Sequence, residues 1–281
     1  MSKADVDRVW QLFDLSDRVA VITGGAGLLG YQHGEVLAVA GAHVVLLDLA
    51  ISDPAKWAAR LTADHQVECI GLAADITNEA SIVDASSQIL AKFGRVDILI
   101  NNAANNPKVE DAKGLAWSRL ENLPVDVWDA DIRVGLTGAF LCSRVFGTHM
   151  AKNRKGVIVN VASDLALIAP DQRLYRVDDL PEDQQPVKPV TYSVVKSGLL
   201  GLTRYLATYW IGANVRVNAI SPGGVSNGQP EVFLSRLKQL IPMERMANRS
   251  EYQGAILFLC SDASSYMTGA NLVIDGGRTC W

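Results

Sequence analysis

Short apolar runs recur along the chain, and longer amphipathic segments such as 77–93 and 124–152 separate them. Several runs are apolar at nearly every position, which is typical of strands that are covered on both faces of a sheet. The runs that predict strands are 18–24, 42–48, 66–75, 96–103, 156–163, 215–223 and 271–275. Strands that alternate with helices in this way indicate βαβ units. We therefore predict an α/β protein in which residues 1–281 form one domain around a seven-stranded parallel sheet flanked by helices.

One segment, 164–190, departs from this pattern. It is rich in Pro, Asp and Gln and has no sustained helical or strand period. Because it is also longer than an ordinary connection between elements, we expect it to be a functional loop.

The composition narrows the range of partners. The chain has 281 residues, 49% of them hydrophobic, and a formal net charge of −4, so neither nucleic acid nor an anionic membrane is the expected partner. Its 4 cysteines and 4 histidines show no spacing typical of a disulfide framework or a metal site. The N-terminal residues lack the apolar run of a secretory signal, and no stretch approaches the ~20 apolar residues that cross a bilayer. We expect a cytoplasmic protein without a metal.

The stretch TGGAGLLG (23–30) follows the first predicted strand and leads into a predicted helix. Its pattern, Gly25-x-Gly27-x-x-Gly30, is that of a dinucleotide-binding turn, in which glycines let the backbone approach a pyrophosphate at the helix N-terminus. Asp48 ends the second predicted strand, where a carboxylate can bind both ribose hydroxyls. The alternative interpretation is a plain glycine turn with a solvated aspartate.

Asp48 also bears on the choice of cofactor. Its carboxylate would repel a 2′-phosphate, and the next residues, Leu49 and Ala50, offer no cation to receive one. NAD is therefore predicted over NADP, unless a basic residue reaches this point from elsewhere in the fold.

The stretch TYSVVKSGLLG (191–201) places Tyr192 and Lys196 one turn apart on the same face if it is helical. A free tyrosine has a pKa of about 10, which a nearby lysine and the positive nicotinamide ring of NAD would lower. Tyr192 could then take a proton from a substrate hydroxyl, or return it, as hydride moves. Ser163, at the end of a predicted strand, would orient the substrate oxygen. The alternative is ordinary helix surface.

Further short motifs occur in a fixed order. They are the glycine loop, AAD (73–75), NNAA (101–104), Ser163, YSVVK (192–196), SPGG (221–224) and IDGG (274–277). With them the chain resembles the short-chain dehydrogenase/reductase family along nearly its whole length. The resemblance implies a Rossmann-type, doubly wound domain that assembles as a homotetramer or a homodimer. The segments DQRLYR, NNAANNPK and GRTCW also resemble a bacterial subgroup associated with surface-sugar biosynthesis.

The resemblance implies roles for individual residues. Ser163, Tyr192 and Lys196 would be catalytic, and Lys196 would also bond the cofactor ribose, with Asn101 and Ala103 beneath it. The implied cofactor-binding residues are Gly24, Gly27, Leu28, Leu29, Asp48, Asp75, Ile76, Asn102, Ala103, Tyr192, Lys196, Pro222, Gly223 and Val225.

Two features depart from the family pattern. The interval between Ser163 and Tyr192 is longer than usual, and the extra length falls in 164–190. Gly135 stands where the family has an Asn that completes a proton relay. Either a water or a neighbour replaces that group, or turnover is slowed, or the protein binds cofactor without efficient turnover.

The loop 164–190 begins after Ser163 and ends before Tyr192, so we expect it to border the substrate. The expected substrate residues are Lys108, Asp164, Arg173, Arg176 and Asn227. The cations among them could receive a phosphate or carboxylate, which predicts a polyhydroxylated substrate such as a sugar phosphate or a nucleotide sugar. The alternative is that these charges pair within the loop or face solvent.

The predicted function is an NAD-dependent oxidoreductase that interconverts a hydroxyl and a ketone on a polar, sugar-like substrate. One alternative is an NAD-binding sensor or scaffold with little turnover, which Gly135 motivates. The other is an epimerase or dehydratase that retains NAD.

Overall fold

The computed structural model describes residues 3–105 and 115–281, and the strands there form one sheet. The strands are β1 (Val19–Thr23), β2 (His43–Asp48), β3 (Cys69–Ala73), β4 (Ile98–Asn101), β5 (Gly156–Val161), β6 (Val215–Pro222) and β7 (Asn271–Ile274). They lie in the order β3-β2-β1-β4-β5-β6-β7, and every neighbouring pair is parallel. The predicted seven-stranded, doubly wound α/β fold is confirmed.

The strands are shorter than the apolar runs that predicted them. Gly24, Asn102 and Ser163 belong to the predicted runs but lie just beyond the carboxyl ends of β1, β4 and β5. In an open parallel sheet, ligands bind outside the carboxyl ends, where the strand order reverses. Here that point lies between β1 and β4.

Helices cover both faces of the sheet. They are α1 (Lys3–Gln11), α2 (Gly30–Val39), α3 (Pro54–His65), α4 (Glu79–Phe93), α5 (Val125–Ile132), α6 (Gly138–Lys152), α7 (Val190–Tyr209), α8 (Glu231–Lys238) and α9 (Gln253–Cys260). Successive β1 side chains face opposite layers, with Ala20 and Ile22 against α2, α3 and α9, and Val19 and Val21 against α4, α6 and α7. Within the described ranges, no helix is long and apolar enough to cross a membrane.

The long amphipathic segment predicted at 124–152 is one helical run with an irregular middle. Between α5 and α6 lies a single π-helical stretch, Arg133–Thr137, which contains Gly135. A methyl group on Gly135 would overlap Cγ1 of Val195, on the neighbouring α7. Glycine therefore lets the two helices approach closely one residue before Lys196, and this packing offsets the cost of a glycine within a helix.

The segment 164–190 contains only short 3-10 turns, at Asp164–Ala166, Gln172–Tyr175 and Glu182–Gln184. Its middle is held together by Gln185, whose side-chain amide bonds both the N–H and the C=O of Val177, at 2.9 Å each, and the C=O of Leu180 at 2.7 Å. The loop is thus an ordered part of the molecule that connects Ser163 to α7.

Candidate active site

A cavity of about 750 Å³ opens at the carboxyl edge of the sheet. Every residue in the implied cofactor-binding list lines it, from Gly24 through Asp48, Asp75 and Ala103 to Val225, whereas Asn101, expected beneath the ribose, does not. The three expected catalytic residues, Ser163, Tyr192 and Lys196, line it as well. The topology therefore brings the separate motifs into one crevice, with the glycine loop at one end and Tyr192 at the other.

The glycine loop is closed on itself in a way that side chains would prevent. Gly24 has φ +62°, in the left-handed region, and a Cβ on Gly30 would overlap the carbonyl oxygen of Gly24. Two hydrogen bonds hold the Asp48 carboxylate beside this turn: Oδ2 accepts from the N–H of Ala26 at 3.0 Å, and Oδ1 accepts from the N–H of Leu49 at 2.8 Å. The backbone is thus shaped as a cradle with a carboxylate beside it, which fits the diphosphate and ribose of a dinucleotide.

The end of β4 is tied to this turn. The side-chain amide of Asn102 donates to the carbonyls of Thr23 at 3.0 Å and Gly24 at 3.1 Å, and the N–H of Ala103 donates to Thr23 Oγ1 at 3.1 Å. Asn101 was expected on the cavity floor, but it is buried and donates to Asn160 Oδ1 at 2.8 Å instead. Side chains alternate along a strand, so Asn102 faces the cavity and Asn101 does not.

Ser163 and Tyr192 meet at the other end of the cavity. The Ser163 hydroxyl donates to Asp164 Oδ1 at 2.7 Å. Burial raises the pKa of Tyr192; hydrogen bonding with Ser163 opposes this shift, and the charge of Asp164 adds to it. The direction is opposite to the one expected from Lys196 alone, because desolvation of the phenolate outweighs the bond.

Lys196 lies beneath this pair. Its Nζ donates to the carbonyl oxygen of Val161 at 2.7 Å and lies 5.8 Å from the centroid of the Tyr192 ring. Burial, together with the smaller effect of the neighbouring charge of Lys188, lowers the pKa of Lys196 to about 8. Lys196 is therefore held by the end of β5 and titrates much nearer neutrality than a free lysine does.

Arg278 is a site residue that sequence reasoning missed, since the closing GRTCW segment was interpreted only through its resemblance to a subgroup. Gly276 (φ 69°) and Gly277 (φ 89°) turn the chain back after β7. The Arg278 guanidinium, 8% exposed, then donates from Nη1 to Asp164 Oδ2 at 2.7 Å in the cavity wall. The available signal was its position, directly after the carboxyl end of a predicted strand.

Lys188 was also missed. It lines the cavity, and its Nζ lies 4.1 Å from the centroid of the Tyr192 ring, closer than that of Lys196. Burial lowers the pKa of Lys188 to about 8, while the charges of Asp131 and Asp164 oppose the shift. Its position four residues before Tyr192, near the end of the loop 164–190, could have indicated it.

The expected substrate residues divide into three groups. Asp164 and Asn227 line the cavity. Arg173 and Arg176 do not, because each forms an ion pair within the loop, with Asp171 and Glu182 respectively, and Arg173 is 79% exposed. Lys108 lies outside the described residues.

The cavity is less polar at its substrate end than the sequence suggested. Several apolar side chains line the cavity together with Asp164 and Arg278. They are Leu165, Leu174, Phe233, Leu237 and Met246. All of them except Leu165 belong to, or pack against, a small hydrophobic cluster between α8 and the loop, which the composition of 164–190 alone could not indicate. Among residues 3–105 and 115–281, no group of His, Cys, Asp and Glu is arranged to hold a metal ion.

Fold and site together define a Rossmann-type α/β oxidoreductase, with a glycine turn at one end of the crevice and a Ser-Tyr-Lys group at the other. The chain belongs to the short-chain dehydrogenase/reductase family: the family model described as "short chain dehydrogenase" matches residues 18–174, and one described as "Enoyl-(Acyl carrier protein) reductase" matches residues 183–279.

Several known proteins are similar over most of their length. A D-threitol dehydrogenase of Mycolicibacterium smegmatis is 35% identical, with 95% of each chain covered. An NAD-dependent glycerol dehydrogenase of Listeria innocua is 33% identical, with 95% of this chain and 96% of that one covered. A gluconate 5-dehydrogenase from Burkholderia cenocepacia, solved with NADP and tartrate, is 26% identical with a TM-score of 0.84, covering 97% of this chain and 99% of that one.

Proposed function

We propose that this protein is an NAD-dependent oxidoreductase that interconverts a secondary hydroxyl and a ketone on a small polyol or sugar-like compound. The observation that carries the proposal is the placement of Ser163, Tyr192 and Lys196 in the same crevice as the glycine loop and Asp48. Relatives named for threitol and glycerol support the substrate class.

The chain's own residues would handle the proton. In the oxidation direction the substrate hydroxyl gives its proton to Tyr192, and in the reduction direction Tyr192 returns it. Ser163, oriented by Asp164, bonds the substrate oxygen. Lys196, close to the ring of Tyr192, favours its ionised form. A bound nicotinamide would accept the hydride that leaves the carbinol carbon.

NAD rather than NADP is supported by the charges along the cavity. The acidic end carries Asp48, which already holds the glycine loop. The lysine and arginine side chains among the described lining residues, Lys188, Lys196 and Arg278, lie together at the Tyr192 end, where they interact with one another or with Asp164. A 2′-phosphate beside Asp48 would meet a carboxylate and no cation from that group.

The position of the loop arginines weakens the proposal of a sugar phosphate or a nucleotide sugar. Arg173 and Arg176 are paired inside the loop, so neither supplies a phosphate site in the cavity. A role in surface-sugar biosynthesis rests on the sequence resemblance alone. We therefore favour a substrate of a few carbons that fits beside Tyr192.

An NAD-binding sensor with little turnover is the second candidate, because Gly135 lacks the relay side chain. Against it, Val195 occupies the space that a side chain at position 135 would need, so the glycine has a packing reason. An epimerase or dehydratase that retains NAD is the third candidate. Net formation of NADH separates both from the oxidoreductase.

We also propose that residues 1–281 work as one domain, with 164–190 as its substrate loop, in a cytoplasmic homotetramer or homodimer. Tyr205 and Tyr209 support self-association, since they are 63% and 64% exposed on α7 and their rings stack with centroids 5.8 Å apart. Light scattering of the purified protein measures the assembly, and a monomer at micromolar concentration would contradict it.

The decisive experiment measures NADH absorbance after NAD is mixed with the protein and a panel of polyols and sugars. We expect turnover of at least one small polyol, and a loss of about 10²- to 10⁴-fold in kcat in Tyr192→Phe, because a general acid–base group contributes that much. Calorimetric NAD binding should survive the substitution. Tight NAD binding by the unchanged protein without NADH formation across the panel would favour the sensor.

A further inference from the structure

Arg278 is carried on a turn whose backbone is fixed. The carboxylate of Asp275 accepts from the N–H of Gly277 at 2.9 Å and from the N–H of Thr279 at 2.8 Å. The turn also packs on the segment after α8, since a Cβ on Gly277 would lie 2.9 Å from Cγ of Pro242. The side chain of Arg278 consequently enters the cavity wall from a rigid support.

The three nitrogens of the Arg278 guanidinium differ in their surroundings. Nη1 donates to Asp164 Oδ2 at 2.7 Å. Nε is buried and has no hydrogen-bond partner. Nη2 forms no hydrogen bond with any residue in 3–105 or 115–281 either, but unlike Nε it keeps accessible surface, and Arg278 lines the cavity. Nη2 therefore carries unused N–H donors that a bound molecule can reach.

Asp164 links this guanidinium to the place of the reaction. Its Oδ1 accepts from the hydroxyl of Ser163 at 2.7 Å and from the N–H of Leu165 at 2.8 Å, and its side chain is only 4% exposed. Ser163 is the residue proposed to bond the reacting oxygen of the substrate, so a single carboxylate separates Arg278 from the group at that oxygen. An atom held by Nη2 must therefore belong to a part of the substrate close to the reacting carbon.

The same ion pair selects the kind of group that Arg278 can hold. An arginine recognises a carboxylate or a phosphate best through two parallel N–H donors. Each such fork would need Nη2 together with Nη1, which Asp164 engages, or with Nε, which is buried. The carboxylate of Asp164 also balances the guanidinium and would repel a second anion. Nη2 beside a neutral ion pair suits one uncharged oxygen, such as that of a hydroxyl.

From this placement we propose, building on the oxidoreductase function above, that Arg278 is a specificity-determining residue. It donates from Nη2 to a second, uncharged hydroxyl near the reacting carbon. The preferred substrate is then a short diol or polyol rather than a simple secondary alcohol or a hydroxy acid. Leu174, Phe233 and Leu237, which also line the cavity, would contact its carbon chain.

The experiment compares four-carbon substrates that share a secondary hydroxyl: butan-2-ol, butane-1,3-diol, butane-2,3-diol, threitol and threonate. We expect kcat/KM for threitol or the best diol to exceed that for butan-2-ol about 10- to 100-fold, because a hydrogen bond to a charged group has that worth. In Arg278→Lys this ratio should approach one. Lysine keeps a positive charge beside Asp164, but its single nitrogen cannot occupy the positions of Nη1 and Nη2 at once.

Arg18→Lys is the matched control. Arg18 is also buried, 9% exposed, and also bonds a carboxylate at 2.7 Å, from Nη2 to Asp262 Oδ2, but it precedes β1 at the amino edge of the sheet. This variant should leave the ratio unchanged. Should Arg278→Lys fail to fold, Asp164→Asn/Arg278→Gln takes its place, because it leaves no buried charge unpaired. A change at Ser163 that slows all substrates alike does not alter the ratio.

Three results would overturn this assignment while leaving the oxidoreductase function intact. One is an equal kcat/KM for butan-2-ol, the diols and threitol in the unchanged protein. Another is an equal loss on every substrate in Arg278→Lys, which would mean that Arg278 acts only through Asp164 and Ser163. The third is a loss confined to threonate, which would make a carboxylate the ligand of Arg278.

If no compound is turned over, the proposed function fails instead, and binding decides about Arg278. Saturation-transfer NMR of threitol is then measured with the protein holding NADH. A threitol signal that Arg278→Lys abolishes and Arg18→Lys retains supports the site. A signal that Arg278→Lys leaves unchanged, or no signal with the unchanged protein, rejects it.

Discussion

The two ends of the cavity are built in different ways. At the glycine-loop end, the groups that face the cavity include the backbone of one turn and Asp48, which ends the next strand. At the Tyr192 end, side chains arrive from separate parts of the chain, including Asp164 after β5, Lys188 in the loop and Arg278 after β7. A short motif can specify the first end, whereas the second exists only once the sheet has assembled.

The largest effect is expected at the buried ion pair between Asp164 and Arg278, at the Tyr192 end of the cavity. Arg278→Met leaves a buried carboxylate without its partner, which typically costs about 3–5 kcal/mol of unfolding free energy. Urea denaturation measures the loss. We expect the double variant Asp164→Asn/Arg278→Met to recover part of it, since the uncompensated charge is gone.

A loss below about 0.5 kcal/mol in Arg278→Met, the range of ordinary surface substitutions, would show that the pair does not support the substrate end. The matched control is Arg245→Met, whose ion pair with Glu251 lies on the exposed surface. Exposed pairs are typically worth about 0–1 kcal/mol, so this variant should be close to wild type.

A substitution at Gly135 tests whether the glycine is there because of packing or marks a missing catalytic group. Gly135→Asn restores the side chain that the family usually has, but its Cβ would overlap Val195. We expect a loss of stability of about 1–3 kcal/mol, typical of an overpacked core, and no gain in turnover. Thermal unfolding and kcat measure the two effects.

The double variant Gly135→Asn/Val195→Ala is the companion experiment, because it removes the side chain that fills the space. A rise in kcat in the single variant without loss of stability would mean that Gly135 is a missing relay group rather than a packing solution.

These residues also show what the sequence could and could not predict. The seven strands follow from apolar runs whose meaning is local, and the glycine turn follows from a strand, three glycines and a helix in one stretch. Arg278 could be placed only by knowing that β7 lies beside β6 and that two glycines turn the chain back. The raised pKa of Tyr192 likewise depends on burial, which a pattern of charged neighbours does not reveal.

At the glycine-loop end of the cavity, we expect a single substitution to have a smaller effect on activity. Asp48→Ala removes the carboxylate that we propose binds the ribose, and we expect kcat/KM with NAD to fall roughly tenfold, as for a charged hydrogen bond. Use of NADP should improve relative to NAD, because the repulsion of a 2′-phosphate is lost. Initial rates with both cofactors measure the ratio. A preference for NADP in the unchanged protein would contradict the assignment.

The smallest expected effect falls on Arg173, and it separates the sequence prediction from the structure most cleanly. The composition of the loop suggested that Arg173 receives an anionic substrate, whereas the structure pairs it with Asp171 at the surface, 79% exposed. Arg173→Met should therefore change kcat/KM by less than about twofold and stability by less than about 0.5 kcal/mol. Steady-state rates with the preferred substrate measure the first, and a loss of tenfold or more would mean that the loop rearranges to bring Arg173 into the cavity when substrate binds. Because Lys188 belongs to the same loop yet already lines the cavity, a small effect of Arg173→Met would mean that position in the fold, rather than charge in the sequence, selects the loop residues that can meet the substrate.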